Sequence, residues 1–74
     1  MQNINENSKT SRSQTDLILE WMLAGHTITP LEALERFKCF RLGARIADIK
    51  AKGYLVYSEF ITTEYGKKVK QYHL

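Results

Sequence analysis

The sequence has few of the residues from which catalytic and metal sites are built. It contains one cysteine, Cys39, and two histidines, His26 and His73, so it forms no internal disulfide and shows no metal-ligand spacing. Neither histidine has an acidic or nucleophilic partner in a known pattern, and no phosphate-loop, dinucleotide or zinc motif is present. We therefore expect no cofactor, no metal ion and no small-molecule ligand, and we expect Cys39 to be a buried packing residue.

Long apolar runs are also absent. No stretch approaches the ~20 apolar residues that span a bilayer, and the start lacks the cationic and then apolar pattern of a signal peptide. With 74 residues and one proline, the chain has room for one small domain and no deep cleft. Residues 1–10 carry little apolar surface, which predicts a flexible arm there, a domain over residues 11–74, and a soluble cytoplasmic protein without membrane contact.

Positive charge is scarce in the first half of the chain and concentrated in the second. Residues 1–35 hold two basic and five acidic side chains, a net charge of −3, whereas residues 36–74 hold nine basic and three acidic ones, a net charge of +6. Such segregation points to a polyanionic partner, and to nucleic acid first.

Helix 1 is predicted between a serine and a glycine. Ser11 is the expected N-cap, with Gln14 as its capping-box partner, and the helix should end at Ala24 before Gly25. Its apolar residues cover more than one face. This surplus indicates a homodimer contact through helix 1.

Three residues of that surplus bear on what helix 1 contacts. Trp21 is expected in the core, since tryptophan is highly buried on average. Leu19 and Leu23 look exposed, which leaves them free for a dimer or another protein.

Helix 2 has the clearest start in the chain. Thr29, Pro30 and Glu32 supply a hydroxyl at the N-cap, proline at the first helical position and glutamate at the third. The β-branched residues 27–29 can pair as a very short strand, and the helix should stop at Lys38 or Cys39. The apolar residues expected to line one face of it lie three apart: Leu31, Leu34 and Phe37.

Helix 3 is predicted from the segment "RLGARIADIKAKG", residues 41–53. Leu42, Ile46 and Ile49 follow the spacing of one helical face, and Gly53 stands at the position that closes a helix. Beyond it the apolar period changes from 3.6 residues to two.

A β-hairpin is predicted at the C-terminal end. "YLVYSEFITT" and "KKVKQYHL" are strand-like and flank a turn at Gly66, with Tyr72 and Leu74 on one face. Three helices, a possible short strand between the first two, and a closing hairpin make an α+β fold with the order of a winged helix-turn-helix.

The segment "TITPLEALERFKCFRLGARIADIKAKGY", followed by a hairpin ending in "VKQYHL", resembles the small winged helix-turn-helix proteins of bacteriophages and prophages over residues 14–74. The resemblance implies this fold, DNA binding and no enzymatic activity. Two positions depart from the pattern. Lys38 stands where glycine is frequent, at a cost of roughly 1 kcal/mol if its φ is positive, and Gly43 stands where alanine or serine is frequent.

Winding helix 3 at 100° per residue places small residues opposite its apolar side, with arginines on a flank. In a helix-turn-helix this helix enters the major groove, where arginine contacts guanine and small residues permit close approach. Its uncapped start can hold a phosphate, and wing lysines can reach the DNA backbone. The candidate DNA-binding residues are Arg41, Gly43, Ala44, Arg45 and Asp48 on helix 3, Lys38 in the turn, and Lys67, Lys68 and Lys70 on the wing.

Simpler explanations exist for the same residues. Arg45 and Asp48 can pair along the helix, and alanines are good helix formers that need no partner. Lysines on an edge strand also discourage aggregation.

The leading hypothesis is a protein that binds double-stranded DNA as a transcriptional regulator of a phage or mobile element. The alternatives are a winged-helix protein-interaction module, acting as a phage-encoded modulator of a host protein, and an architectural factor in excision or packaging.

Overall fold

The computed structural model describes residues 13–74, so the predicted arm and the expected N-cap Ser11 lie outside the described part. The predicted order of three helices followed by an antiparallel hairpin is confirmed. The helices are α1 (Gln14–Leu23), α2 (Pro30–Phe37) and α3 (Leu42–Ala51), and the strands are β1 (Tyr57–Thr62) and β2 (Lys68–His73).

The start of α1 differs from the prediction. Its N-cap is Ser13, whose hydroxyl accepts a 3.1 Å hydrogen bond from the Asp16 amide. The Ser13 hydroxyl thereby satisfies one of the N–H groups that have no partner within the first turn of the helix. The helix ends at Leu23, and Gly25 follows with φ 98°, as its predicted closing role requires.

The capping box of α2 is present in both directions, which confirms the predicted start. Thr29 Oγ1 accepts from the Glu32 amide at 3.3 Å, and Glu32 Oε1 accepts from the Thr29 amide at 3.0 Å. The predicted apolar face is wrong in part, because Leu31 is 61% exposed and Ala33 is fully buried. Ala33 and Phe37 lie on the buried side of the helix, roughly opposite Leu31.

The core lies between the helices and the C-terminal strand. The predicted inward residues of α3 are confirmed, and Cys39 is buried as expected. Leu19, expected to be exposed, is buried, so only Leu23 of the α1 surplus faces solvent, at 56% exposure. The buried apolar side chains are Ile18, Leu19, Met22, Ile28, Ala33, Cys39, Leu42, Ile46 and Ile49.

Trp21 packs beside the core and is only half-buried, contrary to the prediction. Its ring stacks on His26 with centroids 3.8 Å apart, and the Arg36 guanidinium lies 4.5 Å from the ring centroid. Its Nε1 donates a 3.0 Å hydrogen bond to the Thr27 carbonyl. Trp21 therefore fixes the connection between α1 and α2, where its N–H finds a partner.

A β-bridge and packing against the core join the hairpin to the rest of the domain. Ile28 and Tyr72 exchange two backbone hydrogen bonds of 3.0 and 2.8 Å, which confirms the predicted short strand as a single β-bridge. Gly66 takes φ 80° in the wing turn. Tyr72 and Leu74 both pack against the core, as their shared parity predicts.

Candidate nucleic-acid interface

The first turn of α3 has free donors and no acidic residue. Arg41 occupies the N-cap position, and its side chain makes no capping hydrogen bond. The next amides, of Leu42 and Gly43, therefore point out of the helix without a side-chain acceptor among the described residues. Because a helix start carries partial positive charge, this end favours an anion such as a DNA phosphate.

Beside that end the helix surface is bare. A Cβ built on Gly43 would meet no atom within 4 Å, and its φ lies outside the left-handed region. Neither packing nor backbone conformation therefore demands glycine at this position. Gly43, Ala47 and Ala51 are exposed and Ala44 is half-buried, so the outward surface is made of small side chains.

Arg45 and Asp48 contact each other along α3. Arg45 Nε lies 3.1 Å from Asp48 Oδ2, which makes the contact an ion pair. The Nε–H group is not aligned for a hydrogen bond with any residue in the described part of the chain. The same Asp48 oxygen accepts a 3.1 Å hydrogen bond from Thr15 Oγ1 of α1. The simpler pairing considered for these residues is therefore present, and it leaves the terminal guanidinium nitrogens of Arg45 without a partner among residues 13–74.

The turn between α2 and α3 is held from α1. Lys38 adopts φ 58° and ψ 32°, so the turn keeps the left-handed conformation that glycine would take more easily. Gln14 Nε2 donates to the carbonyls of Phe37 and Lys38 at 3.3 and 3.0 Å. Gln14 thus stabilises this turn through its backbone carbonyls, and the Lys38 side chain is exposed to solvent.

The wing presents its lysines to solvent. Lys67, Lys68 and Lys70 are exposed, and Tyr65 at the tip is 83% exposed. Thr63 organises the turn, because its Oγ1 accepts from the amides of Tyr65 and Lys67 at 3.3 and 3.2 Å.

Sequence reasoning did not identify Thr15 or Thr63 as supports of the interface. A hydroxyl shortly before a glycine turn is a sequence signal for a side chain that stabilises the turn, and Thr63 shows this signal. Thr15 lies within α1 and shows no such signal. The capping pattern places Gln14 in an N-terminal capping box, whereas its amide group serves the turn after α2.

Residues 13–74 hold no group of three or more His, Cys, Asp or Glu side chains able to bind a metal ion. Over the same range, no helix has the length and hydropathy required to cross a membrane.

A family model described as a winged helix-turn-helix domain matches residues 13–74. No curated protein and no solved structure matches the chain.

Proposed function

The chain belongs to the winged helix-turn-helix domain family, which indicates DNA binding in general, and we propose that it inserts α3 into the major groove of double-stranded DNA with its wing on the backbone. The observation that carries this proposal is the uncapped start of α3 beside the bare Gly43 surface. A phosphate at that end and base edges against small side chains are the contacts such a surface can make.

Arg41 and Arg45 supply the positive charge of the groove contact. Arg41 is exposed at the N-cap and makes no side-chain cap, so it is available for a phosphate or a guanine edge. Arg45 is half-buried and held by Asp48, which limits the positions that its free guanidinium nitrogens reach. Asp48 then affects DNA binding by positioning Arg45. The small side chain of Ala44 lets DNA approach closely between the two arginines.

Lys38 and the wing lysines Lys67, Lys68 and Lys70 are proposed to contact phosphates on either side of the groove. Their exposure leaves their ammonium groups accessible, and phosphate contacts orient a domain without reading sequence. A domain this small makes few contacts, and a single copy should bind weakly. A homodimer is therefore part of the proposal, although α1 offers only Leu23 as an exposed apolar contact for it.

The biological role that we propose is transcription regulation in a phage or another mobile element, supported by the resemblance to phage and prophage proteins. An architectural role in excision or packaging uses the same DNA contacts. Measuring the bend of a bound duplex separates the two, because an architectural protein works by deforming DNA and a simple regulator need not.

A protein-interaction role is the second candidate, and one feature favours it. A groove of about 560 Å³ lies between the start of α2 and the wing, with exposed Leu31 and half-buried Ile61 and Val69 among its lining residues. The test compares the biological activity of two folded variants. If that activity survives reversal of charge at Arg41 and Arg45 and is lost in Leu31→Asp, the groove carries the function.

The proposal is tested by titrating fluorescent random duplexes with the protein at several salt concentrations. With about 4–6 phosphate contacts, log K should fall against log salt with a slope of roughly −4 to −5. Absence of salt-dependent binding at micromolar protein would contradict DNA binding.

A further inference from the structure

Strand β1 forms an open edge of the sheet. The β1–β2 register pairs Thr62 with Lys68, and beyond it the Thr63 amide donates to the Lys67 carbonyl at 2.8 Å. Because hydrogen-bonded and non-hydrogen-bonded pairs alternate in antiparallel ladders, Ser58, Phe60 and Thr62 direct their backbone groups away from β2. No described residue forms a backbone hydrogen bond with them on that outer side.

The two edges of the sheet differ in their protection. Lys68 and Lys70 direct their backbone groups to the opposite edge, beside the bridge that Tyr72 makes to Ile28. Lysines at an edge disfavour pairing with another chain. Strand β1, with the sequence "YSEFIT", has no lysine, proline or glycine, and its central Phe60 is 66% exposed.

We propose that β1 pairs antiparallel with β1 of a second copy of this chain, with the two-fold axis at Phe60. The strand is self-complementary in this register. Phe60 lies opposite Phe60, Ser58 opposite Thr62, and Glu59 opposite Ile61, so an aromatic pair forms, two hydroxyl pairs form, and no like charges meet directly.

A second copy fits this edge because the side chains of β1 complement one another in the same register that pairs the outward donors and acceptors of all three residues in both partners. Lys70 Nζ, which lies 5.7 Å from the Phe60 ring centroid in each copy, flanks the aromatic pair. A four-stranded sheet results, with the two α3 helices related by the two-fold axis as a DNA-binding dimer requires. The pairing itself does not depend on DNA binding.

Sedimentation equilibrium of the full chain, without DNA, tests the interface. The chain should dimerise as its concentration rises, and Thr62→Pro should raise the dimer dissociation constant by roughly tenfold or more, because each dimer loses two outward N–H donors. Thr62→Ala keeps the donor and is the matched control. Proline at this position leaves the bonds to β2 intact, since that N–H points away from β2.

Amide hydrogen exchange on the unmodified protein tests the β1–β1 pairing even if the proline variant fails to fold. At high concentration the amides of Ser58, Phe60 and Thr62 should gain protection, whereas those of Glu59 and Ile61, already bonded within the hairpin, should change little. A protein that stays monomeric, or a dimer that is unaffected by Thr62→Pro and lost in Leu23→Asp, would overturn the proposal. Because neither readout includes DNA, failure here leaves the DNA-binding proposal to its own titration.

Discussion

The Nε of Arg45 lies 3.1 Å from the Oδ2 of Asp48, one turn further along α3. Thr15, itself buried, donates to that same oxygen across the α1–α3 contact. The carboxylate therefore joins the packing of the core to the position of an arginine on the proposed DNA-binding surface. A hydrogen bond to a charged acceptor is stronger than one between neutral groups, so this link should be measurable.

Thr15→Val should lower the free energy of unfolding by about 1 kcal/mol, because it removes the hydroxyl that Asp48 accepts from and keeps the shape of the side chain. In an Asp48→Ala background the same substitution should be near neutral. Chemical denaturation of the four proteins of this double-mutant cycle measures the coupling. An undiminished loss in the Asp48→Ala background would show that the two side chains are not coupled.

Gly43→Ala should raise the free energy of unfolding by about 0.5 kcal/mol, since alanine is the better helix former and the added Cβ meets no atom within 4 Å. The same change should weaken DNA binding if the bare backbone admits a phosphate or base edge. Ala47→Gly, on the exposed side of the same helix, is the control and should destabilise the protein without improving binding. Unchanged affinity in Gly43→Ala would contradict the close approach.

Lys38→Gly should stabilise the protein by about 1 kcal/mol, because it relieves the left-handed strain of a residue with φ 58°. Lys38→Ala retains that strain and should not stabilise the protein. Both variants lose the same cation, so their loss of DNA affinity should be equal. Thermal unfolding and duplex titration of the pair separate the two effects, and equal melting temperatures would refute the strain.

The start of α2 and the inward side of α3 were predictable because short-range signals specify them. Thr29, Pro30 and Glu32 define a capping box within four residues, and the spacing of Leu42 and Ile46 fits one helical face. The inward side of α2 was not predictable from a spacing of three, because Leu31 fits that spacing and yet is exposed. Only the packing of Ala33 against the core decides the rotation of the helix.

The sequence shows the candidate residues of the interface and does not show the contacts that support them. The basic and small residues of α3 and the wing are visible in the sequence. The bonds that hold them join partners distant in the chain, such as Gln14 to the Lys38 carbonyl, 24 residues apart, and Thr15 to Asp48, 33 residues apart. No local pattern encodes such bonds, because they exist only once α1 has packed against the other helices.

The insertion of the start of α3 into DNA is tested most directly by comparing two double variants at opposite ends of the helix. Arg41→Ala with Arg45→Ala removes two cations near the start of the helix, and Lys50→Ala with Lys52→Ala removes two at its end. Titration of one duplex at several salt concentrations should show the arginine variant losing most of its affinity, with a salt slope smaller by about one for each phosphate that it no longer neutralises. The lysine variant should retain nearly all of its affinity and its salt slope. Equal losses in the two variants, with both proteins folded by circular dichroism, would contradict the insertion of the start of α3 into DNA.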